Sequence, residues 1–240
     1  MDDPADLPTP RIASDRLLSP PGTVDVSIIE RYIPSSTLNE INDMFSLSDQ
    51  SVLVDRLVEL SPNGGCLTII YPTKTGGQIF QQQYLDPIME PTLRYMMTMF
   101  DLSADLAKIV SELTAVGRSL DFDDFSTHLE ALCETLSEGN ASVQARLHNI
   151  PGMFRIISAE KHQVKIPSEI WSKWLLQQEK SRLQEALRLY RTSGGRPPRD
   201  GVFQQFVLHA EMVKKLGEKA CAAKPDQGIE VGVYVIKRGA

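Results

Sequence analysis

The sequence predicts an α/β domain of three layers: an incomplete, mainly parallel sheet, helices on its faces, and a helical insertion. Three observations predict it. Val24-Asp25-Val26-Ser27-Ile28-Ile29 and Cys66-Leu67-Thr68-Ile69-Ile70-Tyr71 are short, β-branched, apolar runs of the kind buried on both sheet faces. The stretch between them has helical periodicity and is long enough for a crossover, so the two strands should lie parallel. Far downstream, Ile229-Glu230-Val231-Gly232-Val233-Tyr234-Val235-Ile236 alternates as a strand does.

Taken in order, residues 1–22 hold five prolines and little periodicity, which reads as a flexible lead-in to an α/β domain over 23–240. Pro34 stops the first strand. Thr37-Leu38-Asn39-Glu40 has the form of a capping box, and Leu38, Ile41, Met44 and Phe45 repeat at helical spacing behind it. A second helix carries Val52, Leu53, Leu57, Val58 and Leu60. Ser61-Pro62-Asn63-Gly64-Gly65 breaks it before the second strand.

A helical insertion follows at about 76–150. Gly76-Gly77 opens a stretch with Ile79, Phe80 and Tyr84, which Pro87 and Pro91 interrupt. Ser103 and Asp121 stand where caps belong, and Gly139 where a helix ends. Beyond it, Met153 to Ser158 reads as a strand with a short extended partner at Gln163 to Ile166. Ser168 begins a long helix bearing Trp171 and Trp174, and Val202 to Leu216 forms another before the last strand.

Composition excludes several classes. The chain is 42% hydrophobic and 23% charged, which argues against wholesale disorder. Its 25 basic residues against 31 acidic ones give a net charge of −6, which disfavours nucleic acid and anionic membrane as partners. No apolar run reaches the roughly 18 residues of a membrane-spanning helix. The acidic, Pro-rich start MDDPADLPTP does not resemble a targeting peptide. Three well-separated cysteines, Cys66, Cys133 and Cys221, suit a reducing compartment, cytoplasmic or nuclear.

The stretch from Thr23 to Tyr32 resembles the fourth strand of a class I S-adenosylmethionine-dependent methyltransferase, and Leu57 to Ile70 resembles that family's next helix, Gly-Gly turn and fifth strand. The resemblance implies a Rossmann-like fold, S-adenosylmethionine as cofactor, methyl transfer to a small molecule, and a substrate cap in the insertion. The sequence departs from the family in one respect. The Gly-rich turn and acidic residue that hold the cofactor belong to its first two strands, and residues 1–22 have no room for them. The chain therefore reads as the C-terminal half of such a fold, with no residue to point to for the cofactor. A noncatalytic module, pairing through an open sheet edge or Met-rich helices into a homo- or hetero-oligomer, is the alternative.

Parallel strands bring their carboxyl ends to one edge, where ligands of open α/β sheets collect. Glu30, Arg31 and Tyr32 follow the first strand; Tyr71, Thr73 and Lys74 end or follow the second. They are the candidate substrate-binding residues, and Tyr32 and Tyr71 are expected to converge on one crevice. No catalytic residue is identified. His128, His148, His162 and His209 show no metal-ligand spacing, so no metal is expected. The basic residues from Lys180 to Arg199 are interleaved with Glu179 and Glu185, as on a solvated helix face. Trp171, Trp174 and Met96-Met97-Thr98-Met99-Phe100 read first as core, with a methionine-lined partner surface as the other use.

Overall fold

The computed structural model describes residues 17–35, 38–45, 51–100, 103–111, 115–138, 152–167 and 225–239, with shorter stretches within 170–177 and 210–218. The elements are β1 (Val26–Glu30), α1 (Leu38–Phe45), α2 (Val52–Glu59), β2 (Cys66–Pro72), α3 (Lys74–Ile79), a π-helical turn (Phe80–Leu85), α4 (Asp86–Phe100), α5 (Ala104–Ser111), a 3-10 turn (Val116–Arg118), α6 (Phe122–Ser137), β3 (Met153–Val164) and β4 (Ile229–Gly239). Thr37 of the capping box, Gly139, the helix expected from Ser168 past residue 177, the basic stretch 180–199 and most of the 202–216 helix lie outside the described residues.

The four strands form one open sheet in the order β1-β2-β4-β3. β1 and β2 are parallel, with Ile29 opposite Ile69. β4 runs antiparallel to both its neighbours, Tyr234 opposite Ile69 and Ile236 opposite Ile156. The expected mainly parallel sheet is thus a mixed one. The alternation in β4 records burial, and a period of two is the same in either direction, so it carried no information about orientation.

β3 differs from expectation as well. The two pieces read at 153–158 and 163–166 are one continuous strand, Met153–Val164, whose register on β4 shifts between Ile156 and Ser158. The polar run Glu160-Lys161-His162 resembles a turn in sequence. It is exposed on an edge strand, where charge is tolerated and discourages unwanted pairing.

Side chains alternate across the sheet, and helices cover both faces. On one face, Ile29, Leu67, Ile69, Tyr234 and Ile236 pack against Leu53 and Leu57 of α2 and Leu129, Leu132 and Leu136 of α6. On the other, Ile229 and Val231, with half-buried Ile70 and Val233, meet Phe80, Tyr84, Ile88 and Met96, together with Trp171. The helices that follow β2 therefore build a layer on each face.

The proline signals have a local solution. Asp86 donates its backbone N–H to Gln81 five residues back, so a widened turn leads into α4 just before Pro87. Pro91 lies within α4. At the amino edge of the sheet, the buried Arg238 donates to the carbonyls of Val58 at 3.1 Å and Leu60 at 2.8 Å. These are carbonyls that the end of α2 leaves without helical partners. Glu59 pairs with Arg56 at 3.0 Å and accepts the backbone N–H groups of Leu18 and Ser19, which fastens the end of the lead-in.

Candidate functional site

The parallel pairing of β1 and β2 brings their carboxyl ends to one edge, where two cavities open. They lie on either side of α1: Glu40 and Met44 line the first, Ile41 and Asn42 the second.

The first cavity, about 650 Å³, continues from β1. Glu30, Arg31 and Tyr32 line it with Glu40, Trp174 and Gln177. Three residues read from sequence thus meet here. Arg31 is already engaged: its Nε donates to the Ile33 carbonyl at 2.8 Å and its guanidinium pairs with Glu40 at 2.9 Å, which ties the loop after β1 to α1. Tyr32 stacks on Trp174, with ring centroids 6.1 Å apart and planes within 8°. Hydrogen bonding to Glu30, with a smaller effect of burial, pushes the Tyr32 phenol up to about 12. The hydroxyl therefore keeps its proton and donates a hydrogen bond to Glu30.

The second cavity, about 290 Å³, lies at the end of β2, against α1, the 3-10 turn and α6. Tyr71 and Thr73 line it. The Tyr71 hydroxyl shares a hydrogen bond with Ser35 at 2.6 Å, and burial pushes its phenol above the ordinary value. Thr73 caps α3: its Oγ1 accepts from Gly76 N at 3.0 Å and donates to Glu230 at 2.7 Å. Lys74 lines neither cavity; its backbone N–H donates to Leu120 at 3.0 Å. Tyr32 and Tyr71 accordingly do not converge. One crevice expected at this edge is two, because the chain between the strands returns across it as α1.

Three lining residues escaped the sequence reading. Trp174 was assigned to core packing, and it is Trp171 that fills the core. Arg118 sits in a turn too short to show periodicity. His128 was weighed as a metal ligand. Among the described residues no cluster of three His, Cys, Asp or Glu is placed to hold a metal ion.

The two described glycine pairs pack against the chain's own atoms. Gly64, at φ +105°, and Gly65 turn at the amino end of β2, the edge away from the cavities. A Cβ on Gly65 would stand 2.7 Å from Ser61 N and 2.8 Å from the Val24 carbonyl, so its bare Cα faces the chain's own backbone. The Gly76 Cα faces the Glu230 carbonyl, 1.9 Å from where a Cβ would lie. No protein-family model matches the chain, and no curated protein matches it.

Proposed function

We propose that the described strands and helices form a methyltransferase-like α/β fold, resembling the C-terminal half of that family's sheet, which binds a small molecule in the cleft beyond β1 and holds no methyl-donor site among the described residues. The observation that carries this reading is the strand order. In class I methyltransferases the last strand enters the sheet between the fifth and sixth and runs antiparallel to both. β4 lies between β2 and β3 in that sense, and β1 and β2 take the places of the parallel fourth and fifth strands.

The cleft's lining indicates the kind of molecule. Glu30 and Glu40 set two carboxylates against the single guanidinium of Arg31, and the stacked Tyr32 and Trp174 rings give an aromatic wall. Carboxylate attraction and the negative faces of the rings both favour an aromatic or aliphatic amine over an acid. Isothermal titration tests the donor half of the proposal. S-adenosylmethionine should give no binding to the chain alone, and low-micromolar binding overturns it. For the acceptor cleft, benzylamine should change Trp174 fluorescence saturably and the neutral benzyl alcohol should not. Glu30→Gln should weaken the amine, and equal responses to amine and alcohol would remove the acceptor assignment.

The second reading, a noncatalytic interaction module, is favoured by the β1 edge. Val26 and Ile28 are 65% and 61% exposed, and no strand lies beyond them among the described residues. Met99 on α4 is 62% exposed. Among the described residues no helix is long and apolar enough to cross a membrane.

A further inference from the structure

The smaller cavity has a character unlike the rest of the chain. Its lining includes two basic side chains, Arg118 and His128, and neither Asp nor Glu, in a protein of net charge −6. Three other arginines face carboxylates: Arg31 pairs with Glu40, Arg56 with Glu59, Arg94 with Glu90. Arg118 and His128 have no ion-pair partner among the described residues. The phenols of Tyr71 and Tyr234 are held above their ordinary value, chiefly by burial, with Glu40 acting on Tyr71 and Asp123 and Glu230 on Tyr234 from behind the wall.

Much of the rest of the wall is apolar. Tyr71 and Phe125 stack at 6.2 Å, Phe125 meets Tyr234 edge-on at 4.8 Å, Ile41, Pro72 and Leu120 add apolar surface, and Asn42 and Ser119 add polar groups. The Tyr71 hydroxyl is held by Ser35 and the Thr73 hydroxyl by Glu230 and Gly76, so these groups fix the wall. A volume of about 290 Å³ is at the small end of ligand sites. A guanidinium offers a planar, two-pronged match to a carboxylate, and it binds more strongly where water is partly excluded.

We propose that this cavity binds a small organic carboxylate, its anionic group held by Arg118 and His128 and its aryl or alkyl part laid on Tyr71, Phe125 and Leu120. The inference is independent of the methyltransferase-like reading, which concerns the other side of α1.

The test is titration of the full chain with benzoate, benzamide, acetate and inorganic phosphate, followed by amide NMR shifts of Ser119 and Leu120 and by calorimetry. Benzoate should saturate one site. Benzamide, which keeps the ring and loses the charge, and acetate, which keeps the charge and loses the ring, should each bind about tenfold more weakly or worse. Arg118→Gln lies in an exposed turn and should leave the melting temperature unchanged while weakening benzoate about tenfold. Benzamide binding as well as benzoate, or Arg118→Gln binding benzoate unchanged, would overturn the charge assignment. Phosphate matching benzoate would overturn the organic class, and acetate matching it would overturn the assignment of the apolar wall to the ligand's larger apolar part. A benzylamine response in the other cleft is unaffected by any of these outcomes, so the two sites fail separately.

Discussion

Tyr71 shows how one side chain can serve structure where sequence suggests ligand. It ends β2 at the ligand edge, yet it is buried and its hydroxyl is spent on Ser35 at 2.6 Å. Removing it by Tyr71→Phe leaves the buried Ser35 hydroxyl without that partner, at a cost of about 1–2 kcal/mol in thermal or urea unfolding. The pH dependence has a definite sign. The folded-state phenol lies above its ordinary 10.0, chiefly through burial. The stabilisation tied to the protonated phenol is therefore whole below pH 10.0 and is lost as pH rises through the folded value. Phenylalanine does not titrate, so the gap in melting temperature between wild type and Tyr71→Phe should narrow above pH 10.0. A gap constant with pH would mean that the phenol ionises as freely folded as unfolded.

Elements were legible where their signals are local. Both apolar runs became strands close to where they were read, and Asp121 begins α6 as expected. What was not legible depends on partners distant in sequence. The Gly76-Gly77 pair looks like a generic helix opening. Its reason is β4, more than 150 residues later, whose Glu230 carbonyl would stand 1.9 Å from a Cβ on Gly76. The obstacle is backbone at both ends, and Thr73 N also donates to the same carbonyl at 3.2 Å, so neither element can move aside alone. Gly76→Ala should cost about 3 kcal/mol or more. Gly117→Ala, with nothing within 4 Å of its Cβ, should be close to neutral. Equal melting temperatures for the two variants would show that α3 does not rest on β4 as described.

At the scale of the whole molecule, the sequence carried the layers and the parallel pairing of β1 and β2, and not the direction of β4. Ile69 and Ile70 illustrate the layers. Both were expected to be buried by helices on opposite faces, and both faces are covered, to different degrees. Ile69 is 1% exposed among Leu57, Leu129 and Tyr234, whereas Ile70 is half-buried against the opposite cluster. Ile69→Ala should cost about 2–5 kcal/mol and Ile70→Ala distinctly less; the reverse order in denaturant titrations would mean the faces are misassigned.

The uneven cover reaches its extreme at β1. Asp25 and Arg31 direct backbone groups to β2, through Cys66 N to the Asp25 carbonyl at 2.8 Å and Arg31 N to the Ile70 carbonyl at 2.9 Å. Alternation then turns the N–H and C=O groups of Val26, Ile28 and Glu30 toward the open edge, beside the exposed Val26 and Ile28 side chains. Such an edge is a template for another strand, and a single inserted lysine is the usual protection against pairing. Ile28→Lys should therefore leave the melting temperature within about 2 °C, because the side chain it replaces is already largely in water. If the edge pairs, sedimentation velocity should show concentration-dependent association of the wild type that Ile28→Lys abolishes and Met99→Lys does not. Abolition by Met99→Lys alone would move the contact to α4. A wild type that stays monomeric at high concentration would remove the interaction-module reading and leave the cleft beyond β1 as the functional surface.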